Sequence, residues 1–280
     1  MRRGGGSDHR QDFERRVTSE DGGKDGGLTV KEFLSEYVAK SKPVLIRSKD
    51  ARGLLKDWRA WDEWSRKGLT DKYGQIEVNI SSSSSIVALR EGGDNDKGAS
   101  SRLISKAKLG DFIGEAMGRD AADATALADK DPPYLFRTRQ LPGLADDYTH
   151  SPFFDDIEIF HHDMLTREKI ALLFVGPGNS GAYFHQHMNA NNALIYGAKH
   201  WYLLPPQASI GDKGWETAKS MPAWVEEIMP KLDVKPLQCV QHAGEIAYVP
   251  TLWWHGIVNL CDSVGVALEV GLERDILINT

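Results

Sequence analysis

The stretch Ser180-Gly181-Ala182-Tyr183-Phe184-His185-Gln186-His187 decides how the rest of this 280-residue chain is read. Its aromatic residues, closed in by the glycines and asparagines on either side, describe a short strand. Alternate residues of a strand share a face, so His185 and His187 are expected to project into one interior space. A third histidine follows far downstream, in Pro250-Thr251-Leu252-Trp253-Trp254-His255. Three histidines converging from two strands can cap one face of a metal ion and leave open positions for substrate and oxygen. The usual facial set for non-haem iron is two histidines and one carboxylate.

Working outward, short apolar runs at 134–137, 170–175, 182–187, 193–196, 201–204, 237–241, 246–249, 256–260 and 264–270 are separated by Gly, Pro, Asn and Asp. Their even spacing and β-branched or aromatic content predict antiparallel strands. The eight from residue 170 onward suffice for a double-sheet jelly roll of the cupin kind. One long interruption, 207–236, reads as a helical insert between the fourth and fifth of these strands. In it Pro222 stands at a helix start, and Trp224, Val225, Ile228 and Met229 form a stripe.

Before residue 134 the texture is mixed. Thr29-Val30-Lys31-Glu32 is a capping box, followed by apolar residues at Val30, Phe33, Leu34, Tyr37 and Val38 in helical spacing. Val44-Leu45-Ile46 predicts a buried strand. Trp58, Trp61 and Trp64 predict a second helix, 75–80 a strand, and Leu109, Phe112, Ile113, Ala116 and Met117 a third helix. These stripes are core faces. Residues 1–27 hold seven glycines and twelve charged residues. Too little apolar surface is present there to offset ordering entropy, so a disordered leader is expected. The organisation is therefore a leader at 1–27, a support region at 28–133 and a core at 134–280. The fold class is mainly β with N-terminal helices (α+β): a double-stranded β-helix, or cupin-like jelly-roll barrel.

Composition narrows the function classes. A net charge of −6 argues against gripping nucleic acid by bulk charge. Two cysteines, Cys239 and Cys261, make neither a disulfide framework nor a cysteine zinc site, and both fall on expected strands as buried thiols. No apolar run reaches the roughly 18 residues of a membrane helix. No apolar segment follows Arg2 and Arg3, so no signal peptide is legible. A cytoplasmic or nuclear location is expected, or the endoplasmic reticulum lumen if the N-terminus is incomplete. His161-His162-Asp163 is literally His-x-Asp, but it precedes the first core strand and has no histidine at matching distance. Asn79-Ile80-Ser81 is a glycosylation sequon by pattern alone. Oligomeric state is not legible.

The ordered set of motifs resembles the jumonji-C (JmjC) domain proteins, iron(II)/2-oxoglutarate oxygenases on a cupin-like barrel. It comprises His185-Gln186-His187, Asn-Ala-Leu through Pro-Pro at 192–206, Ala-Gly-Glu through Val-Pro at 243–250, Trp253-Trp254-His255 and Asn259-Leu260. Within that family, Phe-His-x-His in place of His-x-Asp and Pro236-Leu237-Gln238-Cys239 resemble the group of JmjC domain-containing protein 8. The likeness runs over about 28–270.

The resemblance implies that His185 and His255 are metal ligands, with His187 where the carboxylate ligand normally stands. It implies Lys199 as the partner of the distal carboxylate of 2-oxoglutarate, and Asn192 and Tyr134 as further co-substrate contacts. The implied cofactor is Fe(II), with zinc or another divalent metal as alternatives, and the implied activity is hydroxylation of a protein or peptide. Two departures oppose it. No carboxylate ligand is present, and Ala182 occupies a position where related hydroxylases often place a threonine. A catalytically inactive binding or regulatory protein with a structural metal is the alternative, and a three-histidine dioxygenase acting on a small molecule is a third reading.

Overall fold

A computed structural model describes residues 15–17, 27–49, 53–83, 105–118, 131–136, 141, 143–149, 153, 170–208 and 220–270. Thirteen strands and few helices are seen among them. The core consists of β6 (Ile170–Gly176), β7 (Gly181–His185), β8 (Asn189–Tyr196), β9 (Ala198–Leu204), β10 (Leu237–His242), β11 (Ile246–Val249), β12 (Trp254–Asn259) and β13 (Ser263–Val270). They divide four and four. One set lies in the order β11-β8-β13-β6, the other β10-β9-β12-β7, all antiparallel. This is the expected jelly-roll pattern, and its strands begin and end close to where the apolar runs predict. Among the described residues no backbone pairing joins the two sheets, so they stack without closing into a barrel.

Two apolar clusters fill the space between the sheets. One joins Leu45, Ala247 and Val249 of the larger sheet to Trp201, Leu203, Cys239 and Ile257 of the smaller. The other sets Ala182 of β7 against Tyr134, Phe136, Leu172, Phe174, Leu194 and Ala267. The larger sheet is extended by β1 (Arg15–Val17) and β2 (Val44–Arg47) on one side. On the other it gains β5 (Pro133–Phe136), β3 (Glu77–Ser82) and β4 (Ser105–Lys108). The support region thus continues the core sheet.

The outer face of that sheet explains the N-terminal stripes. α3 (Arg66–Tyr73) and α4 (Leu109–Ala116) bury Leu69, Tyr73, Phe112 and Ile113 in a cluster that also takes in Val175, Ala193, Val264 and Val266 of the sheet. The tryptophan triplet lies on a shorter helix than its spacing suggests. α2 (Arg59–Glu63) is flanked by Trp58 and Trp64, and Trp64 donates its indole N–H to the buried Asp147 at 2.9 Å. Burial pushes the Asp147 carboxyl up, but hydrogen bonds from Lys72, Trp64 and Tyr73 outweigh it and hold the group below its ordinary value.

The capping box forms as read, with Glu32 N–H donating to Thr29 Oγ1 and Thr29 N–H to the Glu32 carboxylate. After α1 (Val30–Glu32), however, Phe33–Val38 widens into π-helical turns, with Ala39 N–H bonded to Leu34 O at 2.8 Å and Lys42 N–H to Tyr37 O at 2.9 Å. The apolar stripe still buries Phe33, Tyr37 and Val38 against Val44, Ile46 and Tyr248. Phe33 packs edge-on to both Phe153 and Tyr248.

Within the expected leader, Arg15–Val17 departs from disorder and forms a parallel strand against Leu45–Arg47. The outer edge of β2 supplies the backbone partners that the leader's own composition cannot. His161, His162, Asp163 and the remainder of the leader before Arg15 lie outside the described residues. Cys239 is buried on β10 as expected, whereas Cys261 is exposed in the turn after β12. No helix among the described residues is long and apolar enough to cross a membrane.

Candidate functional site

The site sits at the end of the sheet sandwich where β7 finishes and β12 begins. His255 lies directly opposite His185 across that strand pair, and the next registered pair is Ile257 with Ala182. Two residues of β7, Tyr183 and Phe184, therefore face Gly256 alone, which is a β-bulge. Its consequence is visible in the packing. Tyr183 and Phe184 both turn outward onto α5 (Met221–Glu227), against Met221 and Trp224, while Ala182 points inward. Ala182 and His185 thus share the interior face at a spacing of three, where plain alternation would put them on opposite faces. Glycine opposite the bulge leaves room for Met221: a Cβ at Gly256 would lie 2.7 Å from the Met221 methyl, so the end of that side chain would have to move.

The helical insert read at 207–236 supplies this buttress. Ser220 caps α5 by accepting from Ala223 N–H, and Pro222 stands in its first turn. Phe184 and Trp224 meet edge to face with ring centroids 4.7 Å apart.

His187 reaches the site differently from the expectation. β7 ends at His185, and His187 lies in the connection to β8. That connection is pinned to the start of the His255 segment: Leu252 N–H donates to His187 O at 2.9 Å, and Gln186 Nε2 donates to Leu252 O at 2.7 Å. The three rings converge, with centroids 4.1 Å apart for His185–His255, 4.5 Å for His187–His255 and 5.4 Å for His185–His187. One nitrogen from each lies within 4.8 Å of the others.

The hydrogen bonds assign the protons. His185 Nδ1 lies 2.7 Å from Tyr183 O, His187 Nδ1 2.6 Å from Met188 O, and His255 Nδ1 2.8 Å from Trp253 O. A carbonyl oxygen only accepts, so each Nδ1 carries the hydrogen and each Nε2 is left with its lone pair. That is the tautomer a metal-binding imidazole needs, with the second nitrogen held by a backbone oxygen. His255 is buried, and burial together with its two histidine neighbours pushes its pKa well below the ordinary 6.5. It is neutral at physiological pH, as a ligand must be.

Deeper between the sheets lies a second polar region. Lys199 of β9 is registered with Gln241 of β10 on one side and Asn259 of β12 on the other. It sits four residues along β9 from Leu203, the partner of His255, or about 13 Å at the usual strand rise. Lys199 is fully buried. Its Nζ donates to Tyr134 Oη at 3.1 Å and lies 3.4 Å from the centre of the Phe174 ring. No carboxylate pairs with it among the described residues, and burial lowers its pKa well below 10.5. Burial pushes the Tyr134 phenol up, so it stays a neutral hydroxyl. The Tyr134 ring fits because residue 176 is glycine, where a Cβ would lie 2.5 Å from that ring.

Asn192 and Asn259 add oxygen atoms. The side-chain Oδ1 of each is buried without a hydrogen-bond partner among the described residues. Asn192 lies on β8 opposite Ala247 and Ala267, two residues whose side chains pack between the sheets. Asn259 donates through Nδ2 to Ser180 Oγ at 2.9 Å. Gln241 ties the sheets together, accepting from Trp201 Nε1 at 2.9 Å and donating to Asn192 O at 2.7 Å.

The six candidate site residues named from the sequence therefore gather in this interior. His185, His187 and His255 stand at its mouth, and Lys199, Tyr134 and Asn192 lie deeper. Sequence reasoning missed Gln241 and Ser180 and assigned no role to Asn259, although Asn259-Leu260 marks the place. Burial of a polar residue on a strand that otherwise reads as apolar is the signal that could have found them.

Known proteins bear on this arrangement. The pattern of the cupin-like domain family matches residues 30–270. The chain is 31% identical over 257 residues to the lysine-specific demethylase JMJ21 of Arabidopsis thaliana, covering 85% of this chain and 24% of that protein. It is 27% identical over 255 residues to the bifunctional arginine demethylase and lysyl-hydroxylase psr-1 of Caenorhabditis elegans, covering 83% of this chain and 56% of that one. Over a shorter stretch of 99 residues it is 36% identical to JmjC domain-containing protein 8 of Mus musculus, covering 35% of this chain and 36% of its relative. The matched region spans between 24% and 56% of the demethylase relatives' own lengths. With its two stacked antiparallel sheets and the histidines at their mouth, the chain belongs to the cupin-like JmjC domain family.

Proposed function

We propose that this protein is an Fe(II)- and 2-oxoglutarate-dependent oxygenase that hydroxylates a protein or peptide, with a three-histidine metal site. One observation carries the reading. Three imidazoles, each with Nδ1 set against a backbone carbonyl, bring one ring nitrogen each within 4.8 Å of the others, in the same interior as a buried Lys199 that no carboxylate pairs with among the described residues. An isolated buried ammonium is costly, and a dicarboxylate reaching in from the metal would supply what it lacks. Relatives named as demethylases and a lysyl-hydroxylase support the reaction class.

In this reading His185, His187 and His255 hold the metal through Nε2, and Lys199 with the Tyr134 hydroxyl holds the far carboxylate of 2-oxoglutarate. Asn192 lines the co-substrate pocket. When bound, iron and 2-oxoglutarate would together supply the oxidising power that puts one atom of O₂ into a substrate C–H bond and the other into succinate, with the 1-carboxylate of 2-oxoglutarate leaving as CO₂. The residues' part is to orient and to exclude water. Phe136 and Trp201 each stand 6.2 Å from a ligand ring, centroid to centroid, and close the flanks of the site. Three neutral ligands leave the metal with its full double positive charge, so a dianionic co-substrate neutralises the centre.

His187 in place of a carboxylate and Ala182 in place of a hydroxyl favour a second reading, a binding protein with a structural metal. Metal content of the purified protein, calorimetry with 2-oxoglutarate, and succinate formation with Fe(II) in the presence and absence of oxygen separate the two. Oxygen-dependent succinate release is expected. Failure to bind 2-oxoglutarate with Fe(II) loaded would sink the oxygenase reading. Tight zinc binding without turnover would leave the structural-metal reading standing.

A further inference from the structure

The strand β1 has no part in the chemistry above, yet it shows what the edge of the larger sheet can take. Arg15, Arg16 and Val17 pair in parallel with Leu45, Ile46 and Arg47 of β2. Parallel pairing is slightly the weaker kind, and three residues give little of it. The contact that distinguishes the segment is Arg16, half-buried, whose Nη1 donates to Tyr37 Oη at 3.1 Å. Arg16 is registered with Ile46, which belongs to the same apolar cluster as Tyr37, so the arginine lies on that face of the sheet. A carboxylate is close by. Glu32 is held below the ordinary carboxylate range first by the Thr29 N–H and hydroxyl, and further by the nearby Arg16 charge. The edge thus offers a strand ladder together with a subsite for one guanidinium.

The direction of that edge matters. β2 starts at the end of the sandwich that carries the histidines, since Val44 is registered with Tyr248 and β11 runs out at Val249 just before the His255 segment. The loop leading into β2 is tied to that mouth, because Trp253 donates its indole N–H to Ser41 O at 3.0 Å. A peptide lying in the β1 register with its arginine opposite Ile46 would bring the residues three to five positions before that arginine level with 43–41, at the rim of the site.

We infer that the outer edge of β2 is a docking track for an extended, arginine-bearing peptide segment of the substrate, and that Arg15–Val17 of the chain itself occupies it in cis. The inference rests on the oxygenase reading only for the word substrate; the docking itself needs neither metal nor co-substrate. The recognition mode is strand addition, in which main-chain bonds give affinity and a side-chain subsite gives selectivity. A tethered segment competes with a free one at an effective concentration on the order of millimolar, so the occupied edge resists weak ligands.

The test uses the full chain and a fluorescent peptide of residues 11–20, without metal or 2-oxoglutarate. The unaltered chain is expected to bind it weakly. Arg16→Glu in the chain loosens the tethered segment and is expected to tighten peptide binding by about tenfold or more. In that background, Arg16→Glu in the peptide abolishes the gain, and Tyr37→Phe weakens binding by about tenfold or more, as loss of one hydrogen bond to a charged group does. A photo-crosslinker four residues before the peptide's arginine is expected to label 41–43 or Trp253. Equal binding of a scrambled peptide, indifference to Tyr37→Phe, or crosslinks elsewhere would overturn the docking track. A signal that appears only as the chain self-associates would overturn it in favour of strand exchange between two copies. None of these outcomes bears on succinate formation, so failure of the track and failure of the oxygenase reading are told apart.

Discussion

The mouth and the floor of the interior are polar in opposite ways. At the mouth every histidine proton is assigned: each Nδ1 hydrogen is taken by a backbone carbonyl, and each Nε2 carries a lone pair. On the floor the account does not close. Lys199 is fully buried with one neutral hydroxyl as its donor's target, and the Oδ1 atoms of Asn192 and Asn259 have no partner among the described residues. The difference teaches that the histidines of the mouth are preorganised by backbone bonds, whereas the floor carries a cost in the free protein that a bound anion would remove. Changes at the mouth should therefore cost function with little effect on stability. Changes on the floor should exchange one for the other.

The largest effect is expected at the mouth. Loss of a group that merely supports a ligand lowers metal affinity 10–100-fold, so removing a ligand outright in His255→Ala should exceed roughly 100-fold. Isothermal titration with Co(II) or Zn(II) measures it. Thermal unfolding of the metal-free variant should stay close to that of the unaltered protein. A metal affinity unchanged by His255→Ala would break the comparison at its first term.

Lys199→Met tests the floor. Removing a buried charge with no ionic partner is expected to stabilise the free protein by about 1–4 kcal/mol, the range seen when buried ionic groups give way to apolar ones. The same change should weaken 2-oxoglutarate binding by about 2–5 kcal/mol, or roughly 30-fold to several thousandfold. The pH dependence has a definite sign. Burial lowers the folded pKa of Lys199 below 10.5, so between that lowered value and 10.5 the unfolded chain holds a proton that the folded one does not. Stability should rise with pH across that window in the unaltered protein, and Lys199→Met should remove that part of the slope. Denaturant unfolding at a series of pH values gives both curves, and coincident slopes would remove Lys199 as the source of the floor's cost.

Much of this was legible in the sequence because strand periodicity and motif order are local properties. The eight core strands, the insert and all three histidines follow from apolar runs, turn residues and the Trp253-Trp254-His255 phrase. What escaped is set by pairing across the sheet. A bulge cannot be seen in Tyr183-Phe184 alone, since it exists only against Gly256 of another strand, and plain alternation consequently misplaces Ala182 relative to His185. The assignment of His187 to the strand failed for a related reason: the connection after His185 is shaped by bonds to Leu252, distant in sequence. Arg15–Val17 escaped because its composition is that of a leader and its partner is an edge formed 30 residues later in the register.

The bulge links the mouth to the helical insert, and a mid-sized effect tests the link. Gly256→Ala would set a methyl against Met221 and Phe184, and overpacking of this kind costs about 1–3 kcal/mol. Met221→Ala in the same chain frees the space, so the double variant should be more stable than the two single costs predict, a coupling that thermal unfolding can read. Metal titration sharpens the point. If the bulge sets the direction of His185, Gly256→Ala lowers metal affinity and the double variant recovers part of it. Recovery of stability without recovery of metal binding would mean that α5 supports the fold and leaves the mouth alone.

The smallest expected effect asks what the third histidine does. His187→Asp restores the charge of a two-histidine, one-carboxylate set and takes the metal shell from neutral to −1. Attraction to a divalent ion favours the variant. Two losses oppose it: the Met188 carbonyl gives up its Nδ1–H donor, a bond worth about 0.5–1.5 kcal/mol, and an aspartate is shorter than the ring it replaces. Because His187 is held by the connection to Leu252 and is only half-buried, the backbone has room to bring a shorter side chain inward. A net gain in Fe(II) affinity of roughly tenfold, about 1.4 kcal/mol, is expected, with a rise in succinate formation at limiting iron. Stronger binding without any rise in turnover would show that residue 187 sets only how tightly the metal is held. Weaker binding would show that the mouth is built around three neutral ligands, with the double positive charge left for the co-substrate to neutralise.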